Sequence, residues 1–238
     1  STYIVSKNVP QVLDTFTIYV TFSADHCESQ TLVITWTVNP VATIAYAQPA
    51  NVSMIWGYTE TVSVYYERKR DGAFVRGADT SVSSDPSEEP EAFVVSEGTD
   101  SYVLTIDGTL LTEETTYTVY VSLSKRYYEN VTVTIRVDVS AIPTVASSSL
   151  SSAETEYGLN LTVDFWYNRT DTDEGISGAS ATYEIRNGTG HVIDTGSLVE
   201  NASVGGKYHF IMNSTYIVSK NVPQVLDTFT IYVTFSAD

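Results

Sequence analysis

Cys27 is the only cysteine in the chain and follows directly on His26. A thiolate beside an imidazole pairs a covalent nucleophile with its base, and it works only where a scaffold orients both groups. Two neighbours in one turn have no such scaffold. Cys27 also aligns with Tyr128 in an internal repeat, so the position accepts an inert side chain. A single cysteine closes no disulfide within the chain. His191 and His209 show no metal-ligand spacing, and Lys7, Lys69, Lys125 and Lys207 offer no clear isopeptide donor. The stretch Asp171-Thr-Asp173-Glu174-Gly175 crowds carboxylates before a glycine, as a hard cation requires, yet it lacks the distal glutamate of a helical calcium loop. Asp171, Asp173 and Glu174 are thus the only candidates for calcium, and a solvated turn explains them equally well. No catalytic residue, no enzyme activity and no organic cofactor are expected.

Asparagine chemistry points elsewhere. Of ten asparagines, seven lie in Asn-x-Ser/Thr, an excess even for a chain rich in Ser and Thr: Asn51, Asn130, Asn160, Asn168, Asn187, Asn201 and Asn213. Such sites accept N-linked glycans in secreted or surface proteins. Asn160 and Asn168 alternate with Leu161, Val163, Phe165 and Tyr167, which turns both away from a core. Asn187 falls in the turn Arg186-Asn-Gly-Thr-Gly190, and Asn130 sits at a hairpin tip. An extracellular, glycosylated chain is expected.

Residues 1–25 recur letter for letter as residues 214–238, an offset of 213 residues. Divergent repeats inside one subunit would not be spared every substitution, so the chain reads as a window on a periodic polypeptide or polymer. A gapless, more diverged match relates residues 14–38 to residues 115–139 at an offset of 101. It keeps Thr15/Thr116, Thr17/Thr118, Tyr19/Tyr120, Val20/Val121, Glu28/Glu129, Ile34/Ile135 and Val38/Val139. Tyr58–Tyr66 likewise resembles Tyr157–Phe165, and Val75–Ala78 resembles Ile176–Ala179. One period therefore holds two related domains.

Strict alternation gives the class of those domains. Tyr117, Val119, Val121 and Leu123 share one face while Thr116, Thr118, Tyr120 and Ser122 share the other; Val133, Ile135, Val137 and Val139 then oppose Thr132, Thr134, Arg136 and Asp138. One apolar and one polar face per strand is the pattern of antiparallel sheets packed as a sandwich. Strands are expected near 42–47, 61–67, 77–83, 92–96, 101–107, 116–124 and 131–139, with a turn over Lys125–Asn130. The fold class is all-β, with two immunoglobulin-like antiparallel β-sandwich domains in tandem. Its expected parts are residues 1–39, the final hairpin of an immunoglobulin-like domain of the preceding repeat or one swapped into a neighbour; 40–140, a complete domain; and 141–238, a domain lacking its last strand and completed by a copy of 26–39.

Leu111-Thr-Glu-Glu-Thr115-Thr-Tyr117-Thr-Val119 resembles the fibronectin-type-III pattern around a corner tyrosine, while the related segment carries Asp14 and Phe16. Tyr157-Gly158, Val163-Asp-Phe165-Trp-Tyr167 and Gly175-Ile-Ser-Gly-Ala179 resemble the tandem immunoglobulin-like modules of very large prokaryotic, especially archaeal, surface proteins. That resemblance implies a stalk, sheath, fibre or adhesin.

Lys and Arg number 12 against 29 Asp and Glu, for a net charge of −17. A shortage of bases argues against nucleic acid or anionic membrane partners, and no membrane-inserting run appears in this segment. Outward tyrosines such as Tyr19, Tyr65 and Tyr120 offer packing or carbohydrate-binding surface. The apolar face Leu32, Ile34, Trp36 and Val38 needs cover from another copy, which makes these four the assembly residues. Prolines at the junctions 38–41 and 139–144 stiffen the links. The expected function is a structural surface filament, fibre or stalk whose partners are identical repeats or subunits in a homopolymer. An adhesin recognising glycans or cells on the same scaffold is the alternative.

Overall fold

The computed structural model describes residues 15–221 and 227–237. Strands dominate, as the alternation requires, and the chain divides into two compact units, the first ending at Ala141 and the second beginning at Ile142.

The first unit opens with β1 (Thr15–Phe22) and β2 (Gln30–Thr37), an antiparallel hairpin that forms a two-stranded sheet of its own. The strands that follow are β3 (Thr43–Gln48), β4 (Asn51–Ile55), β5 (Thr59–Arg68), β6 (Asp79–Asp85), β7 (Phe93–Glu97), β8 (Tyr102–Asp107), β9 (Thr115–Ser124) and β10 (Val131–Ser140). They make two four-stranded sheets, in the orders β3-β5-β8-β7 and β4-β10-β9-β6. Val62, Val64 and Tyr66 of one sheet meet Val119, Val121, Ile135 and Val137 of the other in one core, all fully buried. Each such side chain contributes about 1.5–3 kcal/mol relative to exposure.

The sandwich thus has eight strands where the alternation predicts seven. The addition is β4, which runs parallel to β10 with Arg136 opposite Asn51 and Val139 opposite Met54. It buries only Val52 and Met54, too few apolar positions to announce a strand beside the turn at Pro49. Tyr117, at the predicted corner, is fully buried; its hydroxyl accepts from the Thr112 N–H (2.8 Å) and donates to Glu88 Oε1 (2.5 Å).

The second unit contains β11 (Thr144–Ser148), β12 (Asn160–Arg169), β13 (Ser180–Arg186), β14 (Val192–Ser197), β15 (Val199–Glu200), β16 (Lys207–Asn213), the short helix α1 (Ser214–Lys220) and β17 (Thr230–Ser236). Its sheets are β11-β12-β16-β15 and β14-β13-β17. Val163, Ile185, Tyr208, Phe210 and Ile217 form the buried core, with Phe165, Tyr167, Phe229, Ile231 and Phe235 against it.

Both units share one internal fastening. In the first, the buried Tyr102 hydroxyl donates to Val75 O and accepts from Ala78 N–H, while Glu97 takes the N–H of Gly77. In the second, the Tyr208 hydroxyl donates to Ala179 O, and Glu200 accepts from the N–H groups of Gly178 and Gly206, both at 2.8 Å. Those two N–H bonds hold the Glu200 carboxyl below its ordinary pKa.

Candidate functional site

The residues with reactive potential are scattered. Cys27 is exposed, and beside it His26 sits in a turn at φ +62°. Asp171 is held by Arg169 through bonds of 2.8 and 3.0 Å, and Thr172 Oγ1 reaches Glu174 Oε2 at 3.4 Å. Among the described residues no group of three or more His, Cys, Asp or Glu is placed to hold a metal ion. His209 Nδ1 and Lys207 Nζ flank Asp164 at 2.7 and 2.8 Å, on the outer face of β12 and β16. Lys207 first, then His209, hold the Asp164 carboxyl below its usual pKa. This is a partly exposed surface ion pair.

The seven sequons fall into two groups. Asn51, Asn130, Asn160 and Asn201 are exposed, while Asn168, Asn187 and Asn213 are half-buried. The Asn187 side-chain amide donates to Asn221 Oδ1 (2.9 Å), and its oxygen takes the N–H groups of Thr189 and His191. Asn213 caps α1 by accepting from the Thr215 N–H (2.9 Å), and its amide donates to Asn160 Oδ1 (2.8 Å). At both positions the nitrogen that would carry a glycan already serves the fold. Asn221 is almost fully buried and its sequence neighbourhood gave no sign of this; its partner Asn187, read only as a sequon, was the available clue.

Among the described residues two uncovered apolar features bear on assembly. On β2, Leu32 and Ile34 stand 59% and 50% exposed and Trp36 is half-buried, as is Val38 just beyond the strand. Opposite them on β1, Phe16 approaches Trp36 at 6.1 Å between ring centroids. Tyr19 is 69% exposed and Tyr120 only 38%, while Tyr65 is half-buried and stacks on Tyr46 at 4.8 Å.

The second feature lies in the second unit. Strand β17 pairs with β13 on one side, and among the described residues no strand pairs with its other edge. Beside that edge opens a groove of about 540 Å³, lined by Leu161, Ile185, Met212, Ile217, Phe229 and Ile231 together with the irregular stretch 153–157. In the first unit the corresponding edge, that of β9, is covered by β10, whose Ile135 and Val137 are fully buried. Sequence reasoning does not anticipate the groove, whose lining comes from five separate segments.

No protein-family model matches the chain, and no curated protein does. Solved structures with some likeness include the Yersinia pseudotuberculosis adhesin InvE, at TM-score 0.34 and 14% identity over 81% of this chain and 55% of that one. Domains 4 and 5 of the S-layer protein SbsC give TM-score 0.32 and 24% identity over 47% of this chain and 59% of theirs. Domains 4–9 of SbsC give 0.32 and 16% over 94% and 35%. The chain spans about half the length of the adhesin structure. The likeness is one of β-rich architecture and says nothing of activity or partner.

Proposed function

We propose that this chain is a segment of a non-enzymatic, extracellular, N-glycosylated tandem-repeat protein whose β-sandwich modules follow one another in a surface filament, fibre or stalk. The observation that carries the reading is the unmutated recurrence of residues 1–25 at 214–238. A folded catalyst gains nothing from a second identical copy of 25 residues, whereas a polymer of period 213 contains one at every repeat. The fold supports it: related sandwiches are joined by the proline-bearing connection around Pro143, and apolar strand surface is left for another repeat to cover.

An adhesin on the same scaffold is the second reading. A shallow groove on the outer face of β14-β13-β17, lined by Thr182, Glu184, Arg186, Thr195, Tyr232 and Thr234, offers the polar and aromatic surface that sugars bind. Arg186 lies over the Tyr232 ring at 5.2 Å.

The test is antibody labelling of intact cells, together with the intact mass of the denatured, deglycosylated native protein. Label along extracellular filaments and a mass many times that of 238 residues are expected. Intracellular label, or a discrete species that builds no assembly, would overturn the reading.

A further inference from the structure

Outward positions of the two units correspond by the offset of 101, and one set of them has changed its chemistry. In the first unit, β3 and β5 pair with Tyr46 opposite Tyr65 and Ile44 opposite Glu67. The two tyrosine rings stack at 4.8 Å with an interplanar angle of 17°, and the Tyr46 hydroxyl reaches Glu67 Oε1 at 3.5 Å. In the second unit, β11 and β12 pair in the same register, with Ser147 opposite Trp166 and Val145 opposite Asn168. Trp166 thus replaces Tyr65, and Ser147 stands where the covering ring of Tyr46 would be. The carboxylate of Glu67 is replaced by the asparagine of the sequon Asn168-Arg-Thr170.

We propose that the first sugar ring of an N-linked glycan on Asn168 lies on the Trp166 indole, in the place that Tyr46 takes over Tyr65. The inference rests on the reading of the chain as an N-glycosylated surface protein and specifies what one glycan does for the fold. Asn168 and Trp166 are two residues apart on one strand, so they share its outer face at roughly 7 Å. A single pyranose joined to the Asn168 amide spans that gap. Its C–H face is apolar and close in size to a tyrosine ring, so it packs on an indole as another ring does. Lys207, held by Asp164 at 2.8 Å, stands opposite Trp166 on β16, and its Nζ lies 5.6 Å from the indole centroid. On the β11 side the indole faces only Ser147, next to Val145, which is 47% exposed.

A second observation sets Asn168 apart from the other half-buried sequons. The amides of Asn187 and Asn213 are engaged by the side chains of Asn221 and Asn160. Among the described residues none hydrogen-bonds the Asn168 side chain. The backbone alone fixes its place: the Tyr167 N–H donates to Gly206 O and the Arg169 N–H to Glu174 O, both at 2.9 Å. A glycan on Asn168 therefore breaks no hydrogen bond of the fold and starts from a strand held on both sides of its attachment point.

The test uses the native protein made in its own cells, with glycopeptide mapping first and amide exchange over 144–148 and 160–169 second. The parent, Asn168→Gln, Trp166→Ser and the double variant form a cycle, with occupancy at Asn168 measured wherever the asparagine is kept. Removing the glycan should speed exchange about two- to tenfold while Trp166 is present, as ring packing of this strength gives, and should leave it unchanged in Trp166→Ser. Trp166→Phe should keep most of the effect. In the Asn168→Gln background, Ser147→Tyr should slow exchange again by restoring the covering ring. Equal acceleration with and without Trp166, or a bare Asn168 on a chain glycosylated elsewhere, would overturn this proposal alone. Bare asparagines at all seven sequons would overturn the glycoprotein reading together with it.

Discussion

Replacing Tyr117 with phenylalanine removes one oxygen and keeps the ring, which packs edge-on against Phe93 at 6.0 Å. The oxygen serves two groups. It accepts from the Thr112 N–H at 2.8 Å and donates to Glu88 Oε1 at 2.5 Å, from a side chain that is fully buried. Loss of a neutral bond costs about 0.5–1.5 kcal/mol, and a bond to a charged group about 1.5–3. Glu88 is only half-buried and regains water, which discounts the second figure. A net loss of about 1–2 kcal/mol follows, a five- to thirty-fold rise in the open fraction of the first unit. Native-state amide exchange across 115–124 reads that unit alone, and the second unit provides a control because Phe229 already lacks the hydroxyl at the equivalent place. A change below about 0.3 kcal/mol, or equal acceleration in both units, would refute the claim that this hydroxyl secures the loop between β8 and β9.

Two further expectations are more local. Lys207 and His209 depress the pKa of Asp164, so its contribution is present above the unfolded carboxylate pKa and lost as pH falls through the lower folded value. Urea midpoints of the second unit should therefore fall less steeply on acidification in Asp164→Asn than in the parent; parallel acid limbs would count against it. Glycan mapping of native protein should find occupancy at Asn51, Asn130 and Asn201 ahead of Asn187 and Asn213, whose amides are engaged, and Asn213→Ala should cost about 0.5–2 kcal/mol through the lost cap of α1. Full occupancy at Asn213 with an unchanged urea midpoint in the variant would contradict both parts.

How much of this could be read from residues alone depends on whether the signal was local. The alternation Tyr117, Val119, Val121, Leu123 against Thr116, Thr118, Tyr120, Ser122 is period two, and its apolar members are all buried while the others are not. The same holds for Val163 and for its outward neighbours Asn160 and Thr162. The strand β4 escaped because two buried side chains make no period, and its existence depends on β10, some eighty residues onward. Asp171 stands among acidic neighbours in the sequence, and its pairing with Arg169, two positions back on the strand, is visible only in the structure.

The amino-acid sequence by itself determined the β class, the facing of each long strand, the kinship of the two units and the identity of the two ends. These follow from periodicity and from letter-for-letter comparison, which need no knowledge of what touches what. Tertiary structure alone decided that β4 pairs in parallel with β10, that Leu161, Ile185, Met212, Ile217 and Phe229 converge on one groove, and that 152–156 is not a strand. Each of these depends on pairing between residues far apart in the chain, and a strand forms only where its backbone groups find partners.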